Sequence, residues 1–162
     1  MRAIPAVVAS AAVLIASTAS AEPPDPTFHA KLERGMCLGA CPSYEVEIAA
    51  DGQVTFTGGR SYIEPSVVCQ GQRQWQVSPA DVAALEALID RSGVFGFKAE
   101  YRGDMTDMAQ MVVTVTRHGR TKSVTDYIGR MVGMPAAVTE IEDAIDTAAK
   151  TRACVVGDRG KR

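Results

Sequence analysis

Apolar and polar side chains alternate along two neighbouring segments early in the chain, and this alternation predicts a β-hairpin. Tyr44, Val46 and Ile48 alternate with glutamates, and Val54 and Phe56 alternate with threonines. Alternation with a period of two places one set of side chains on a buried sheet face. We therefore expect the two segments to pair with their apolar side chains on the same side.

The loop between these segments decides their register. A two-residue turn would place Ile48 opposite a threonine, and the apolar side chains would then lie on different faces. A three-residue loop over residues 50–52 instead pairs Ile48 with Val54. It also places Gly52 at the left-handed position that such loops require, so we expect the three-residue loop.

A second hairpin is predicted later in the chain. Residues 111–116 and 120–127 are rich in Val and Thr, which favour strands, and a turn is expected at His118. Shorter strands are expected over residues 28–32 and 73–77.

Two segments with apolar residues at helical spacing predict α-helices. Residues 78–90 begin with Ser78 as the N-cap, Pro79 in the first turn and Asp81 as the capping-box acid. Residues 135–146 repeat much of that sequence. The apolar stripes are Val82, Leu85, Leu88 and Ile89 in the first helix, and Val138, Ile141 and Ile145 in the second. The acidic side chains expected on the outer helix faces are Glu86, Glu140, Glu142, Asp143 and Asp146.

Each hairpin comes before a helix, so the chain consists of two ββα units and its fold class is α+β. We expect a duplication that forms one antiparallel sheet with both helices on one face. Residues 22–162 amount to a single domain, with a core over about residues 28–150 and a polar C-terminal tail at 155–162.

The first 21 residues predict a signal peptide. Arg2 provides a positive start, residues 3–16 form a nearly unbroken apolar run, and Ala19 and Ala21 occupy the positions that a signal peptidase reads. The run is short for a membrane span, and no later apolar run approaches 18 residues. The mature protein is expected to be periplasmic or secreted after cleavage near Ala21, without a membrane span.

Charge narrows the class of partner. The chain carries 17 Lys and Arg against 19 Asp and Glu, which gives a net charge of −2 at pH 7. Nucleic-acid binding usually needs a basic face, so no nucleic-acid partner is predicted. The expected partner is an unidentified protein or small molecule. No cofactor is predicted, and the oligomeric state stays open.

Four cysteines, Cys37, Cys41, Cys69 and Cys154, suggest disulfides in an exported domain, and three pairings exist. We favour Cys37–Cys41 with Cys69–Cys154, because the longer bridge would tie together two segments with little apolar anchoring. A thiol-redox role for Cys37 and Cys41 is an alternative. Their spacing and the following Pro42 and strand differ from the usual C-x-x-C at a helix start.

Two further alternatives concern metal and hydrolytic chemistry. Met105, Met108 and Met111 form an M-x-x-M-x-x-M series, and thioethers are soft ligands for Cu(I). Flexible methionines also fill gaps at the ends of elements, so we predict no metal site. A small hydrolase is the other alternative, but His29 and His118 have no evident nucleophile or acid in the sequence, and no catalytic residue is predicted.

Residues 37–44 read C-x-G-x-C-P-x-Y, and a hairpin with an Asp-Gly turn at Gly52 follows. This combination resembles an uncharacterised family of bacterial domains, often exported, over residues 28–150. The resemblance implies a domain of unknown function and brings no established activity, cofactor or catalytic residue.

The leading hypothesis is an exported, soluble, non-enzymatic binding or accessory module that is stabilised by disulfides. Loops held by a rigid frame commonly carry recognition, so we look to the loops around residues 37–44 and 101–107. The candidate recognition residues are Tyr44, Tyr101, Arg102, Asp104 and Asp107.

Overall fold

The structure is a computed structural model that describes residues 25–60 and 67–155. Within these ranges the chain forms seven strands and two α-helices. They are β1 (His29–Arg34), β2 (Tyr44–Ala49), β3 (Gln53–Gly58), β4 (Gly71–Gln76), α1 (Pro79–Ser92), β5 (Glu100–Arg102), β6 (Met111–Arg117), β7 (Arg120–Tyr127) and α2 (Ala136–Ala148). The predicted signal peptide and all but the first residue of the predicted tail lie outside the described residues.

The strands form one sheet in the order β4-β3-β2-β1-β6-β7-β5. All neighbouring strands are antiparallel except β5, which runs parallel to β7. The expectation of a purely antiparallel sheet is therefore wrong at this edge. The reason is topological: β7 inserts between β5 and β6, which run in opposite directions, so a strand antiparallel to β6 must be parallel to β5.

Both predicted hairpins are confirmed. Ile48 pairs with Val54, as the three-residue loop requires, and Gly52 has a φ of 83°. The second hairpin turns through His118 and Gly119, which both have positive φ. Each hairpin precedes a helix, although β4 lies between the first hairpin and α1. The duplication itself stays a sequence-based prediction.

The first helix begins as its sequence predicts. The Ser78 side chain accepts a hydrogen bond from the backbone of Asp81, and the Asp81 carboxylate accepts one from the Ser78 backbone. This capping box satisfies donors that the helix itself cannot pair. The helix ends at Gly93 in the left-handed conformation, whereas α2 starts after Pro135 without a side-chain cap.

The helices cover one face of the sheet. They pack against each other, and α2 lies on β1, β2 and β6. The sheet contributes Ala30, Leu32, Val46, Ile48, Val54, Phe56, Val113, Val115 and Val124 to the core, and the helices contribute Val82, Leu85, Ile89, Val138, Ile141 and Ile145. All residues of the two predicted apolar stripes are buried except Leu88, which is half-buried. No helix in the described part of the chain is long and apolar enough to span a membrane.

Candidate functional site

The two ends of the sheet are built differently. At one end, tight turns over residues 50–52 and 118–119 join the strands. At the other end, the register aligns Arg34, Tyr44, Gly58, Gly71 and Met111. We call this second end, with its longer connections, the loop end. Its described parts are the cysteine loop (residues 35–43), the methionine loop (residues 103–110) and residues 59–60, 67–70 and 128–135.

Both disulfides lie at the loop end, and the favoured pairing is confirmed. Cys37 and Cys41 close the cysteine loop, while Cys69 and Cys154 join the segment before β4 to the segment after α2. The Val68 backbone donates a hydrogen bond to the Cys154 carbonyl at 2.7 Å, which reinforces the longer bridge. The loop end is therefore covalently fastened at two places.

The two loops that we predicted to carry recognition contact each other. The Leu38 amide donates to the Asp107 carbonyl at 3.0 Å, and the Gly35 amide donates to the Gln110 carbonyl at 2.7 Å. These backbone bonds hold the cysteine loop against the methionine loop. Side chains from two distant parts of the sequence thus belong to one region of the surface.

The two candidate tyrosines are buried. The Tyr44 ring stacks on Phe56 with centroids 5.2 Å apart, and its hydroxyl donates to Asp146 at 2.6 Å. The Tyr101 hydroxyl accepts a hydrogen bond from the Lys98 amide at 3.2 Å. Tyr44 therefore supports the loop end from below, whereas the Tyr101 hydroxyl contacts the segment before β5.

The three charged candidates, in contrast, are exposed. The Arg102 guanidinium donates to Gln110 at 2.7 Å and lies over the Tyr127 ring at 4.8 Å. Asp104 and Asp107 reach solvent, and no described side chain forms an ion pair or hydrogen bond with either carboxylate. The methionine loop therefore presents two unneutralised negative charges.

Every large apolar side chain that is exposed in the described part of the chain lies at the loop end. These side chains are Met36, Leu38, Val68, Met105, Met108, Met131 and Val132. Leu38 and Met131 are 70% and 73% exposed. Single exposed apolar residues are ordinary on protein surfaces, but their confinement to one end is informative. Sequence reasoning missed Met36, Leu38 and Met131, because their exposure follows from how the loops pack.

The structure divides the methionine series. Met105 and Met108 are exposed, whereas Met111 begins β6 and packs partly against the core. Met36 lies in the adjoining cysteine loop. Among the described residues, no group of three or more His, Cys, Asp or Glu could hold a metal ion.

A cavity of about 310 Å³ opens beside the cysteine loop, where its walls include Glu33, Arg34, Glu45 and Gln110. The Lys31 ammonium lies 2.8 Å from Glu45 and 3.1 Å from Glu33. Burial lowers the pKa of Lys31, but these carboxylates outweigh that effect and hold its pKa above the usual range. Since the charges beside the cavity pair with one another, we assign no ligand to it.

A buried ionic cluster underlies the cysteine loop. The Arg34 guanidinium lies 2.8 Å from Asp146, and the Thr151 hydroxyl donates to the same carboxylate at 2.8 Å. The Glu142 carboxyl is 2% exposed, and its Oε1 has no hydrogen-bond partner among the described residues. Burial raises the pKa of Glu142 to about 7; Arg34 opposes this rise and Asp126 adds to it.

The prediction that all the helix acids face outward is therefore wrong for Glu142, for Asp146, which faces Arg34 and Tyr44, and also for Glu86. Glu86 is 7% exposed and lies 3.2 Å from the buried Arg117, which also contacts Asp25 at 3.4 Å and Asp90 at 2.8 Å. A buried charge is stable only with such partners. This network fastens the first described residues to α1 at the tight-turn end.

The two histidines lie away from the loop end. His29 lies on the polar sheet face, with Nε2 3.3 Å from Glu47. His118 lies in the tight turn, with Nδ1 3.7 Å from Asp25. Among the described residues, no serine, threonine or cysteine side chain is hydrogen-bonded to either imidazole. The hydrolase alternative gains no support from this arrangement.

A seven-stranded mixed sheet, two helices on one of its faces and two disulfides at one of its ends define a disulfide-linked α+β domain. The chain belongs to the family DUF6438, a domain of unknown function, whose model matches residues 29–149. No curated protein matches the chain.

Proposed function

We propose that this protein is an exported, non-enzymatic binding module that docks a partner protein through its loop end. The observation that carries this proposal is the confinement of all described, exposed large apolar side chains to that end. Soluble proteins rarely concentrate such side chains unless the surface meets another molecule. Four of the seven are methionines, whose flexible thioethers adapt to the shape of a partner.

The charges of the methionine loop, rather than those of the whole loop end, where Arg130 is also exposed, indicate the chemistry of the part of the partner that meets this loop. Asp104 directly precedes Met105 and Asp107 directly precedes Met108. Neither aspartate has a described side-chain partner, whereas the Arg102 charge is offset by Glu100 at 2.5 Å. An apolar peptide segment with Lys or Arg beside it would complement both features. The partner is therefore a protein that presents such a segment.

The loop end is held in shape before binding. The disulfide between Cys37 and Cys41 closes a ring of only five residues, which contributes about 2 kcal/mol to stability in a chain-entropy estimate. The backbone bond from Leu38 to Asp107 fixes the cysteine loop against its neighbour. A loop that is already ordered loses less conformational freedom when it binds.

Export is the second part of the proposal and is based on residues 1–21. Disulfides persist mainly in oxidising compartments, so the two bridges support a periplasmic or secreted location. The mature protein should begin at Glu22. Intact-mass measurement on the exported protein tests this start, and a product that retains residues 1–21 would contradict it.

Copper handling is the second candidate function. The observation that favours it is that the cysteine loop, which carries Met36, is hydrogen-bonded to the loop that carries Met105 and Met108. Thioethers bind Cu(I) and Ag(I), whereas leucine offers similar volume without a ligand atom. Replacement of the three methionines by leucine should abolish Ag(I) binding if copper handling is the function, and should preserve partner binding if docking is.

The docking proposal is tested with a matched pair of double variants. Leu38→Glu with Met131→Glu places two carboxylates on the loop end, and Ala84→Glu with Ala87→Glu places two on the exposed side of α1. Both variants and the wild type are screened against a displayed library of random peptides, and their melting temperatures are compared first.

We expect the wild type and the α1 variant to select apolar peptides with neighbouring basic residues. The loop-end variant should lose this selection while it keeps its melting temperature. Selection of the same peptides by all three proteins would place the binding surface elsewhere, and the absence of any selection by the folded wild type would contradict the proposal.

A further inference from the structure

We infer that the loop end is a site of methionine oxidation, at which a peroxide converts exposed thioethers to sulfoxides and makes the docking surface polar. This inference rests on the proposed function, because its consequence is the release of the partner. It adds a covalent modification and a form of regulation to the same surface.

The methionines of the described chain are all at, or next to, the loop end. They are Met36, Met105, Met108, Met111, Met131 and Met134. None lies in an α-helix, in the centre of the sheet or in the tight turns. A chain that used methionine only as a gap-filling core residue would not restrict it to one end.

Exposure divides these six residues into two groups. Met36, Met105, Met108 and Met131 are 46%, 45%, 42% and 73% exposed, whereas Met134 is 4% exposed and Met111 is half-buried. The Met134 sulfur lies in the interior beside Gly129. An oxidant in solution therefore reaches four methionine side chains, and Met134 serves as an internal control.

The chemistry is a two-electron oxidation by a peroxide. A sulfur lone pair attacks one oxygen of hydrogen peroxide, the O–O bond breaks and an S–O bond forms. The other oxygen leaves as hydroxide, which takes the proton of the transferred hydroxyl and becomes water. The sulfoxide is a polar hydrogen-bond acceptor, so each event replaces an apolar contact atom by a hydrated one. Methionine sulfoxide reductases reverse the step, which makes the change a switch.

The cysteines do not compete with these thioethers as targets of oxidation. All four cysteines are held in disulfides, so no free thiol competes for the peroxide. The exposed methionines take no part in the buried core, while Met111 and Met134 do. Oxidation of the exposed set should therefore change the surface and leave the fold intact.

The first measurement is peptide mapping by mass spectrometry during a hydrogen peroxide time course on the folded, disulfide-bonded protein. We expect Met131 to react first, and Met134 to react on the order of tenfold more slowly than the exposed set. The same time course in urea should remove the difference. Equal rates in the folded protein would overturn the inference.

The second measurement is retention of the folded protein on a hydrophobic-interaction column before and after peroxide. The oxidised wild type should elute earlier with an unchanged melting temperature, and treatment with methionine sulfoxide reductases should restore its retention. The quadruple variant Met36→Leu, Met105→Leu, Met108→Leu and Met131→Leu (the leucine variant) should keep its retention after peroxide, whereas Met134→Leu should behave as the wild type. Unchanged retention of the oxidised wild type, or an equal change in the leucine variant, would refute the inference.

Binding of a library-selected peptide separates the two proposals. Loss of that peptide by the wild type after oxidation, and its rebinding after treatment with methionine sulfoxide reductases, supports the regulation. Retention of the peptide by the fully oxidised wild type overturns the regulation and leaves the docking proposal standing. If no peptide is selected although oxidation is confined to the exposed set, the docking proposal fails and the regulation fails with it, while the modification site remains.

Discussion

Replacing Glu142 by glutamine is expected to stabilise the protein at alkaline pH and to remove one source of its pH dependence. The Glu142 carboxyl is buried under the cysteine loop, and Oε1 has no described hydrogen-bond partner. Burial raises its pKa from 4.5 to about 7. Between pH 4.5 and about pH 7, the folded protein therefore holds a proton on Glu142 that the unfolded chain has released.

The sign and size of the effect follow from these two values. Because the folded pKa is the higher one, the stabilising contribution is complete below pH 4.5 and is lost as the pH rises through about 7. At about 1.4 kcal/mol for each pH unit between the two values, the loss amounts to about 3 kcal/mol. Glutamine is neutral at every pH, so the variant avoids this loss.

The assay is urea unfolding of the wild type and Glu142→Gln near pH 5 and near pH 8.5. The variant's advantage in unfolding free energy should grow by about 2 to 3 kcal/mol between the two conditions. Glu140→Gln, at an exposed position of the same helix, is the matched control and should show no such growth. The pKa of the buried Glu86 is also raised, but Glu86 is common to all three proteins. An advantage that does not change with pH would refute the reasoning.

Two further predictions concern the frame. Cys69→Ser with Cys154→Ser removes a disulfide between residues that are 85 apart in sequence. The unfolding free energy should therefore fall by about 4 to 5 kcal/mol, and the melting temperature should fall as well. An unchanged melting curve would contradict this prediction. Gly52→Val places a β-branched residue at a φ of 83°, with its Cβ 2.7 Å from the Val77 carbonyl oxygen. The free energy of unfolding in urea should therefore fall by about 1 to 3 kcal/mol. A variant as stable as the wild type would argue against the three-residue loop.

The elements that sequence predicted best are those that depend on neighbouring residues. The Ser78 capping box is a local signal, and it is present in α1. The register that pairs Ile48 with Val54 follows from matching two alternating segments through a short loop. Local geometry decides these features, so the sequence is sufficient for them.

Features that depend on packing could not be predicted in the same way. β5 has only three residues, too few for a pattern, and its parallel pairing follows from the insertion of β7 beside it. The burial of Glu86 follows from the position of Arg117 on a distant strand. The spacing of residues along α1 cannot reveal that Arg117, on a strand distant in sequence, lies beside Glu86.

The candidate site was predicted in outline. The pairing of Cys69 with Cys154 and the use of the two loops were expected, and the structure shows the pairing and brings the loops together. Tyr44 was expected in the recognition loop, but its hydroxyl supports the loop from the interior. The exposure of Leu38 and Met131 was not expected, because an apolar loop residue reads the same in sequence whether it packs inward or not.

The central claim is that the loop end binds a partner, and equilibrium binding of one selected peptide tests it most directly. Fluorescence anisotropy is recorded for the wild type, for Leu38→Glu with Met131→Glu, and for Ala84→Glu with Ala87→Glu. We predict that the loop-end variant binds at least about tenfold more weakly, a loss of about 1.4 kcal/mol, and that the α1 variant binds like the wild type. Equal affinity of all three folded proteins for the peptide would contradict the account.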